Sequence, residues 1–313
     1  MIGFLLIALA SALDFQAWTA KYNKRFSAVE ALRRRAIFTA NSRYVSMFNK
    51  EHKFQLSNEG PFAAMTNAEY RAQLKLIRKD DKSVPVYLNR SAPESLDLRT
   101  SNKVTPIRDQ AQCGSCYTFG STASLEGRLL MIGGDYQTLD LSEEQLVQCS
   151  KEQGNNGCNG GLGKNAYEYI KANGIVQEKD YPYTAVDGSC TVDVSKKYAT
   201  ITGYNSVPRK NDAELKAALV DGVVDVSIDA SSAKFQLYKT GVYTDTKCGT
   251  GYFDLNHEVA AVGYGTLDGA AYWIVRNSWG TSWGDKGYIL MAAEGNTCGV
   301  TTDPLYPTGV KFL

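Results

Sequence analysis

The sequence predicts an α+β protein in which a helical N-terminal third precedes a larger part that mixes helices and strands. From Phe15 to Leu76 the chain has almost no Gly or Pro apart from Gly60-Pro61, and its pattern is helical. A second helical pattern follows Cys116, and apolar strand patterns follow His257 and begin at Tyr272. The 313 residues suffice for about two domains.

Composition excludes several classes of protein. Charged residues make up 21% and aromatic residues 11%, which argues against a disordered chain or a coiled coil. No apolar run reaches the roughly 18 residues that span a bilayer. We find no nucleotide-binding loop, metal-ligand array or nucleic-acid patch, so we expect no cofactor, no metal and no nucleic-acid partner.

Charge is divided unevenly along the chain. Residues 1–92 contain 15 Lys and Arg against 7 Asp and Glu, whereas residues 93–313 contain 19 against 26. The basic front could bind the acidic remainder in cis, and acid would weaken that contact. Two unrelated charge biases are the alternative.

The first 13 residues predict a secretory signal peptide. Ile2 to Ala10 is apolar, and Ala10-Ser11-Ala12 fits a small-x-small cleavage site, although a basic start is missing. A buried N-terminal strand is the alternative. A secretory route permits disulfides, so six of the seven cysteines could pair and leave one over.

Six residues of the front third share one stripe of a predicted helix. They are Glu30, Arg34, Phe38, Asn41, Val45 and Asn49. An ordinary amphipathic helix in a small helical domain would show the same spacing. The series nevertheless resembles the propeptide helix of papain-family cysteine proteases, with Val45 in place of Ile. Trp18, Tyr22 and Phe26 are similar to the aromatic cluster of that propeptide.

The stretch after this helix departs from the family pattern. Residues 58–64 keep Phe62 but lack the acidic residue linked to acid-triggered processing, so a pH trigger must lie elsewhere. Residues 78–92 are polar, contain Pro85, and predict a linker and cleavage region. Asn89 begins a glycosylation sequon, a triplet that is often unused.

Cys116 is the candidate nucleophile. The helical pattern that follows it stops at Gly133-Gly134, and Ser115 is a plausible cap, which places Cys116 in the first turn. There the helix dipole favours the reactive thiolate. Two alternatives use Cys113 as well: a dithiol redox motif or half of a zinc site.

His257 is the candidate base, because the other histidine, His52, lies in the helical front third. Asn277 could accept from one ring nitrogen and turn the other toward Cys116, with Trp279 shielding that bond from water. The Gln110 side chain and the Cys116 backbone N–H could form an oxyanion hole.

Together these residues identify a resemblance to papain-like cysteine proteases of the cathepsin L type, especially the amoebic members, which also read Cys-Tyr-Thr-Phe. The resemblance covers residues from about 93 to 313. It implies an α-helical left domain and a β-barrel-like right domain, with Cys116 and His257 on opposite walls of the cleft between them. Tyr117 and Leu98 each replace a usual Trp, and we expect this to tune packing.

The resemblance also implies roles for cysteines and glycines. It pairs Cys113 with Cys158, Cys149 with Cys190, and Cys248 with Cys298, and leaves Cys116 free. Gly160 and Gly161 would let the substrate backbone approach closely and pair with their loop. A plain glycine turn after a disulfide is compatible with that role.

A further set of residues would form the pocket for the second residue before the cut. The walls would be Leu162, Gly163, Ser227, Leu255 and Glu258. Asp303 would lie at the base, where a carboxylate favours Arg, with apolar residues also accepted. The alternative is that Asp303 points to solvent or pairs with a neighbouring Lys.

The resemblance implies a cysteine endopeptidase made as a self-inhibited precursor: a signal peptide (1–13), an inhibitory propeptide (14–92) and a mature domain (93–313). Expected partners are protein and peptide substrates, its own propeptide and cystatin-like inhibitors. We expect a monomer in the secretory pathway, in lysosome-like vesicles or secreted. The alternatives are an inactive homologue that serves as a binding module and a thiol–disulfide oxidoreductase.

Overall fold

The computed structural model describes residues 15–79 and 83–313, so the predicted signal peptide lies outside the described residues. Residues 15–21 are helical and are termed α1. The other helices are α2 (Ala28–Glu51), α3 (Asn67–Arg71), α4 (Cys116–Met131), α5 (Glu143–Cys149), α6 (Gly163–Asn173), α7 (Asp212–Leu219) and α8 (Ala233–Gln236). In the described ranges no helix is long and apolar enough to cross a bilayer.

The strands belong to the C-terminal domain, residues 93–313, except β1. They are β1 (Gln55–Leu56), β2 (Leu96–Asp97), β3 (Ala199–Thr200), β4 (Gly203–Ser206), β5 (Val224–Ile228), β6 (Tyr238–Thr240), β7 (Val242–Tyr243), β8 (His257–Leu267), β9 (Ala270–Arg276), β10 (Tyr288–Ala292), β11 (Leu305–Thr308) and β12 (Lys311–Phe312). The main sheet runs β4-β11-β5-β8-β9-β10-β7, and β2 pairs with β8. Its described strands leave β4 and β7 as separate ends, so the sheet is not a closed barrel.

A helical layer and this sheet meet along α4. On one side α4 packs with α5 and α6 around a core that includes Leu125, Leu129 and Ile170. On the other side it packs against β5 and β8, whose first eight residues are all buried. This packing sets the N-terminus of α4 beside the N-terminus of β8, and it therefore brings Cys116 toward His257.

The N-terminal segment, residues 15–92, has a small core of its own. Phe15, Trp18 and Phe38 are buried together with Ala63 and Ala64. Helix α2 begins at Ser27, whose side chain accepts from the Glu30 N–H, which satisfies one of the unpaired donors of the first turn. The predicted helix is therefore confirmed.

The predicted stripe along α2 faces the chain that returns beside it. Arg34 Nε donates to Glu30 over 2.6 Å, and its Nη1 donates to Glu69 over 2.7 Å. Asn41 donates to two backbone carbonyls of the returning chain, and Asn49 both donates to and accepts from the backbone of Leu56. Phe38 and Val45 are buried. The stripe thus fastens residues 55–69 to α2.

The N-terminal segment docks on the C-terminal domain through apolar and backbone contacts. Strand β1 pairs antiparallel with β6. Phe62 and Tyr70 pack edge-on against Trp279, with ring centroids 4.9 and 5.7 Å away. The buried Tyr70 hydroxyl donates to the Ala230 carbonyl over 2.7 Å.

Candidate active site

Cys116 is the first residue of α4, as the sequence predicts, and its side chain is buried. The backbone N–H groups of Tyr117 and Glu258 reach its thiol, which sets the sulphur against the start of β8. Ser115 is the N-cap residue, but its side chain does not cap the helix; its hydroxyl instead bonds the Tyr183 hydroxyl over 2.7 Å. Ser115 therefore occupies the predicted cap position, but its hydroxyl bonds Tyr183 instead of a backbone N–H of the helix.

His257 begins β8, and Asn277 follows the end of β9. The Nε2 of His257 lies 2.8 Å from the Asn277 Oδ1. Because an amide oxygen only accepts, Nε2 carries the hydrogen and Nδ1 of the neutral ring is left as a base. Trp279 stacks on the imidazole, with ring centroids 4.6 Å apart and planes inclined by 20°. Together Asn277 and Trp279 fix the ring orientation and exclude water from the bond.

Gln110 is held next to these residues by the chain around Trp279. Its backbone N–H donates to the Ser278 carbonyl, and its Oε1 accepts from the Ser278 hydroxyl over 2.7 Å. Its Nε2 donates to the Cys113 carbonyl over 2.9 Å, and the amide retains a second N–H. Gln110, Asn277 and His257 are therefore linked through Ser278, and Cys116 lies against Glu258, the residue that follows His257.

The disulfides hold the loops that flank these residues. They join Cys113 to Cys158, Cys149 to Cys190, and Cys248 to Cys298, the pairs that the resemblance implies. Among the described residues Cys116 is the free cysteine. Because Cys113 is bound to Cys158, the dithiol and zinc alternatives for Cys113-x-x-Cys116 lose their second thiol.

The N-terminal segment runs through the cleft directly above the candidate catalytic residues. The N–H of Leu76 donates to the Asn256 carbonyl over 3.3 Å, and that of Ile77 donates to the Gly161 carbonyl over 3.2 Å. A Cβ on Gly160, where φ is +110°, would lie 1.8 Å from the Lys75 carbonyl oxygen. Glycine is required here because another backbone approaches this closely.

Burial beneath this segment keeps both candidate catalytic groups neutral. Burial raises the pKa of the Cys116 thiol to about 12, and the nearby Glu258 carboxyl raises it as well. Burial lowers the pKa of His257 to about 4, although the bond to Asn277 opposes this shift. At neutral pH the covered pair is therefore thiol and imidazole.

Three residues after Lys75, the Arg78 side chain enters the predicted pocket and forms an ion pair with Asp303. Only 6% of the Arg78 side chain and 9% of the Asp303 side chain are exposed. The Arg78 guanidinium carbon lies 4.6 Å from the centroid of the Tyr252 ring. In the zymogen Asp303 therefore does not face solvent, and a cationic partner of its carboxylate is an Arg of the N-terminal segment; its place at the base of the substrate pocket stays a prediction.

Two of the other predicted pocket residues, Gly163 and Glu258, are in direct contact. Gly163 donates its N–H to Glu258 over 3.1 Å. Ser227 pairs with Glu258 in the β5–β8 register, and Leu162 and Leu255 are buried. Asn89, the sequon residue, lies exposed in the linker.

Sequence comparison assigns the chain to a known family. Residues 92–308 match the papain family cysteine proteases, and residues 15–70 match the cathepsin propeptide inhibitor domain. The chain belongs to the papain family. It is a cysteine protease made as a zymogen with a propeptide, and residues 15–70 of the N-terminal segment match that propeptide.

Relatives and solved structures agree with this assignment along nearly the whole chain. "Cysteine proteinase 2" of Entamoeba histolytica is 66% identical and is covered completely, as is this chain. "Cysteine proteinase 1" of the same organism is 62% identical over 99% of this chain and 98% of its own length. Digestive procathepsin L 3 of Tenebrio molitor superposes with a TM-score of 0.88 at 34% identity, over 95% of this chain and 99% of that one. The recombinant stem bromelain precursor superposes with a TM-score of 0.85 at 36% identity, over 96% of this chain and 99% of that one.

Sequence reasoning missed Arg78 and three further residues of this region. Tyr252 packs on Arg78, Tyr70 packs on Trp279, and Asp225 of β5 lies next to Glu258. Tyr70 and Tyr252 resemble ordinary aromatic core residues in the sequence. Asp225 interrupts the apolar run Val224–Ile228, and an acid within a fully buried strand is the one signal that could have found it.

Proposed function

We propose that the mature domain is an endopeptidase in which Cys116 is the nucleophile and His257 is the base. The observation that carries this proposal is the His257–Asn277 bond beneath Trp279, which leaves Nδ1 for the thiol at the start of α4. When the propeptide leaves, water reaches the pair again, and a proton transfer from Cys116 to His257 gives thiolate and imidazolium.

The thiolate then attacks the scissile carbonyl carbon, and the carbonyl electron pair moves onto oxygen. The second N–H of the Gln110 amide and the backbone N–H of Cys116 stabilise this oxyanion. Collapse of the intermediate breaks the C–N bond, and the imidazolium of His257 protonates the departing amine. The thioester is hydrolysed by a water molecule that His257 deprotonates, which restores Cys116.

The propeptide crosses the same cleft with the opposite chain direction. A substrate whose second residue before the cut fills the Asp303 pocket runs from that pocket toward Cys116. The propeptide passes Gly114, two residues from Cys116, at Lys75 and reaches the pocket only at Arg78. Its peptide bonds are therefore presented backwards, which explains how it can occupy the cleft and inhibit.

We also propose that the enzyme prefers Arg at the second position before the cut and accepts apolar residues there. The ion pair between Arg78 and Asp303 supports this, because a guanidinium lies against the Asp303 carboxylate there, with Tyr252 along its face. The proposed pocket walls remain Leu162, Gly163, Ser227, Leu255 and Glu258. Gly160 and Gly161 remain the backbone that the substrate approaches, and Trp279 shields the His257–Asn277 bond.

The test compares two fluorogenic peptides that differ only in Arg or Leu at that position. Truncating one partner of a buried charge pair costs about 2–5 kcal/mol. We therefore expect Asp303→Asn to lower the Arg-to-Leu ratio of kcat/KM by tenfold or more while Leu cleavage persists. Asp268→Asn, which changes an exposed carboxylate, is the matched control. An unchanged ratio in Asp303→Asn would refute the pocket assignment.

The remaining parts of the proposal concern processing and surroundings. Cleavage near residue 92 would release the mature domain, residues 93–313, and N-terminal sequencing after acid treatment tests this boundary. The family supports a lysosome-like or secreted location, inhibition by cystatin-like proteins, and action as a monomer. Fractionation of the producing cell tests the location, titration with a cystatin tests the inhibition, and gel filtration tests the monomeric state.

A further inference from the structure

Behind the Asp303 pocket lie two further carboxyl groups, Glu258 and Asp225, and both are buried. The Glu258 carboxyl is close enough to Arg78 and Asp303 to interact electrostatically with both. Asp225, on the neighbouring strand β5, forms a hydrogen bond with Glu258. The pocket that holds the Arg78 guanidinium therefore has three acids around it. A second guanidinium, that of Arg209, lies 4.4 Å from the centroid of the same Tyr252 ring.

Two glycines on two helices make the space for this pair. A Cβ at Gly163, the first residue of α6, would lie 2.0 Å from the Glu258 Oε1 and 2.3 Å from the Asp225 Oδ2. A Cβ at Gly120 of α4 would lie 2.7 Å from the Asp225 Oδ1. Any larger residue at either position would collide with a carboxyl, so the chamber fits the two side chains closely.

The pair must share a proton. Two carboxylates in hydrogen-bond contact away from water repel each other strongly, so one of them binds a proton. The Glu258 Oε1 receives no hydrogen bond from an N–H or hydroxyl of the described residues, which leaves the Asp225 carboxyl as its donor. The Glu258 Oε2 accepts from the Gly163 N–H at the start of α6, a position that favours negative charge. Asp225 therefore holds the proton, and Glu258 is the member that ionises.

The groups facing the pair agree with this assignment. Burial and the repulsion of Glu258 raise the pKa of Asp225 well above its usual range, although the Tyr167 hydroxyl donates to it over 3.2 Å. Burial raises the pKa of Glu258 to about 7, against the lowering effects of the Asp225 hydrogen bond and Arg78. Asp303 raises it further, and the Cys116 thiol is the remaining titratable neighbour. A carboxyl is charged above its pKa, so with a guanidinium in the pocket, as in the zymogen, Glu258 gains its charge as the pH rises through neutrality.

We infer that Glu258, positioned by a protonated Asp225, supplies a second and pH-dependent negative charge to the pocket for the second residue before the cut. The preference of the enzyme for a cationic side chain there then increases from acidic to neutral pH. Asp225 acts through Glu258 and is a positioning residue. The inference rests on the proposed peptidase function and on the proposed pocket.

The experiment measures kcat/KM of the processed enzyme for the Arg and Leu peptides between about pH 4.5 and pH 8. The ratio of the two values cancels any effect of Glu258 on Cys116, because both substrates share the nucleophile. We expect the wild-type Arg-to-Leu ratio to rise about tenfold across neutrality. A tenfold rise is the effect expected if a bound Arg side chain lowers the pKa of Glu258 by about one unit. Glu258→Gln keeps the shape and the bond to Gly163 and is expected to flatten this rise.

Two variants of Asp225 test its positioning role. Asp225→Asn keeps a donor for Glu258 and is expected to retain the rise at the wild-type pH. Asp225→Ala removes the donor, which raises the pKa of Glu258 and moves the rise to higher pH. Cleavage of the Leu peptide shows that each variant is folded.

Three outcomes distinguish a failure of the inference about Glu258, of the positioning role of Asp225 and of the proposed peptidase function. A ratio that rises in Glu258→Gln as it does in the wild type would overturn the inference while leaving the peptidase proposal intact. If the Asp225→Ala enzyme cleaves the Leu peptide and its Arg-to-Leu ratio rises at the same pH as that of the wild type, Asp225 has no positioning role. If the wild type cleaves neither peptide, the proposed function itself is wrong, and the inference falls with it.

Discussion

The ion pair between Arg78 and Asp303 predicts how strongly one propeptide residue holds the zymogen inactive. Replacing Arg78 with Met keeps an apolar stem of similar length and removes the charge. Asp303, of which 9% is exposed, would then be covered by a propeptide side chain that cannot neutralise it. In the free enzyme the same carboxylate regains water.

The expected magnitude follows from this difference between bound and free enzyme. Truncating one partner of a buried pair costs about 2–5 kcal/mol, and we take the lower end because the emptied pocket is open to water. At 1.4 kcal/mol for each factor of ten, about 2 kcal/mol weakens inhibition about 30-fold. The lost contact with the Tyr252 ring adds to this in the same direction.

The assay adds a propeptide of residues 15–92 to the processed enzyme and measures the inhibition constant. Arg71→Met is the matched control, since Arg71 is an exposed arginine of the same segment and we expect no more than a twofold change. Against Asp303→Asn enzyme the effect of Arg78→Met is expected to shrink, because the partner is already gone. Equal inhibition by wild-type and Arg78→Met propeptides would refute the reasoning.

Two further predictions concern the nucleophile. Cys116→Ala is expected to lower peptidase activity by several orders of magnitude and to leave the zymogen unprocessed if processing is autocatalytic; substantial turnover by the purified variant would contradict the mechanism. Alkylation of Cys116 by iodoacetamide at neutral pH is expected to be slow in the zymogen, where burial raises its pKa to about 12, and much faster after the propeptide is removed. Mass spectrometry of the labelled peptide measures both rates, and equal rates would show that the propeptide does not keep the thiol protonated.

The elements that carry the catalytic residues could be predicted because their signals are local. Cys116 follows a cap position, and the glycines after Ile132 stop its helix; the apolar run after His257 predicts a buried strand. The hydrogen bond between His257 and Asn277 joins the first residue of β8 to the residue after β9, and the sequence predicts it only because the chain has few other histidines.

The parts that escaped prediction depend on long-range contacts. Asp225 and Glu258 are 33 positions apart, and only the antiparallel pairing of β5 with β8 brings them together. The sequence predicts Arg78 only as one basic residue of a polar linker, because nothing in it indicates which basic side chain enters the cleft. Likewise, the uneven charge of the two parts of the chain predicts attraction, yet many of the docking contacts are apolar, such as Phe62 and Tyr70 on Trp279.

In the proposed function, one pocket receives two different occupants, the propeptide Arg78 before activation and the substrate side chain afterwards. Their chains run in opposite directions, so the backbone contacts differ, but the guanidinium meets the same Asp303 and the same Glu258. Any change to the charge of this pocket must then act on latency and on specificity together. The propeptide lacks the acidic residue of the family motif, and we propose that carboxyls of the mature domain take over a pH response, because Asp303 forms an ion pair with Arg78 and Glu258 interacts with it electrostatically. If Asp303→Asn lowers Arg preference without weakening inhibition by the propeptide, the two occupants do not share the site and this coupling is wrong.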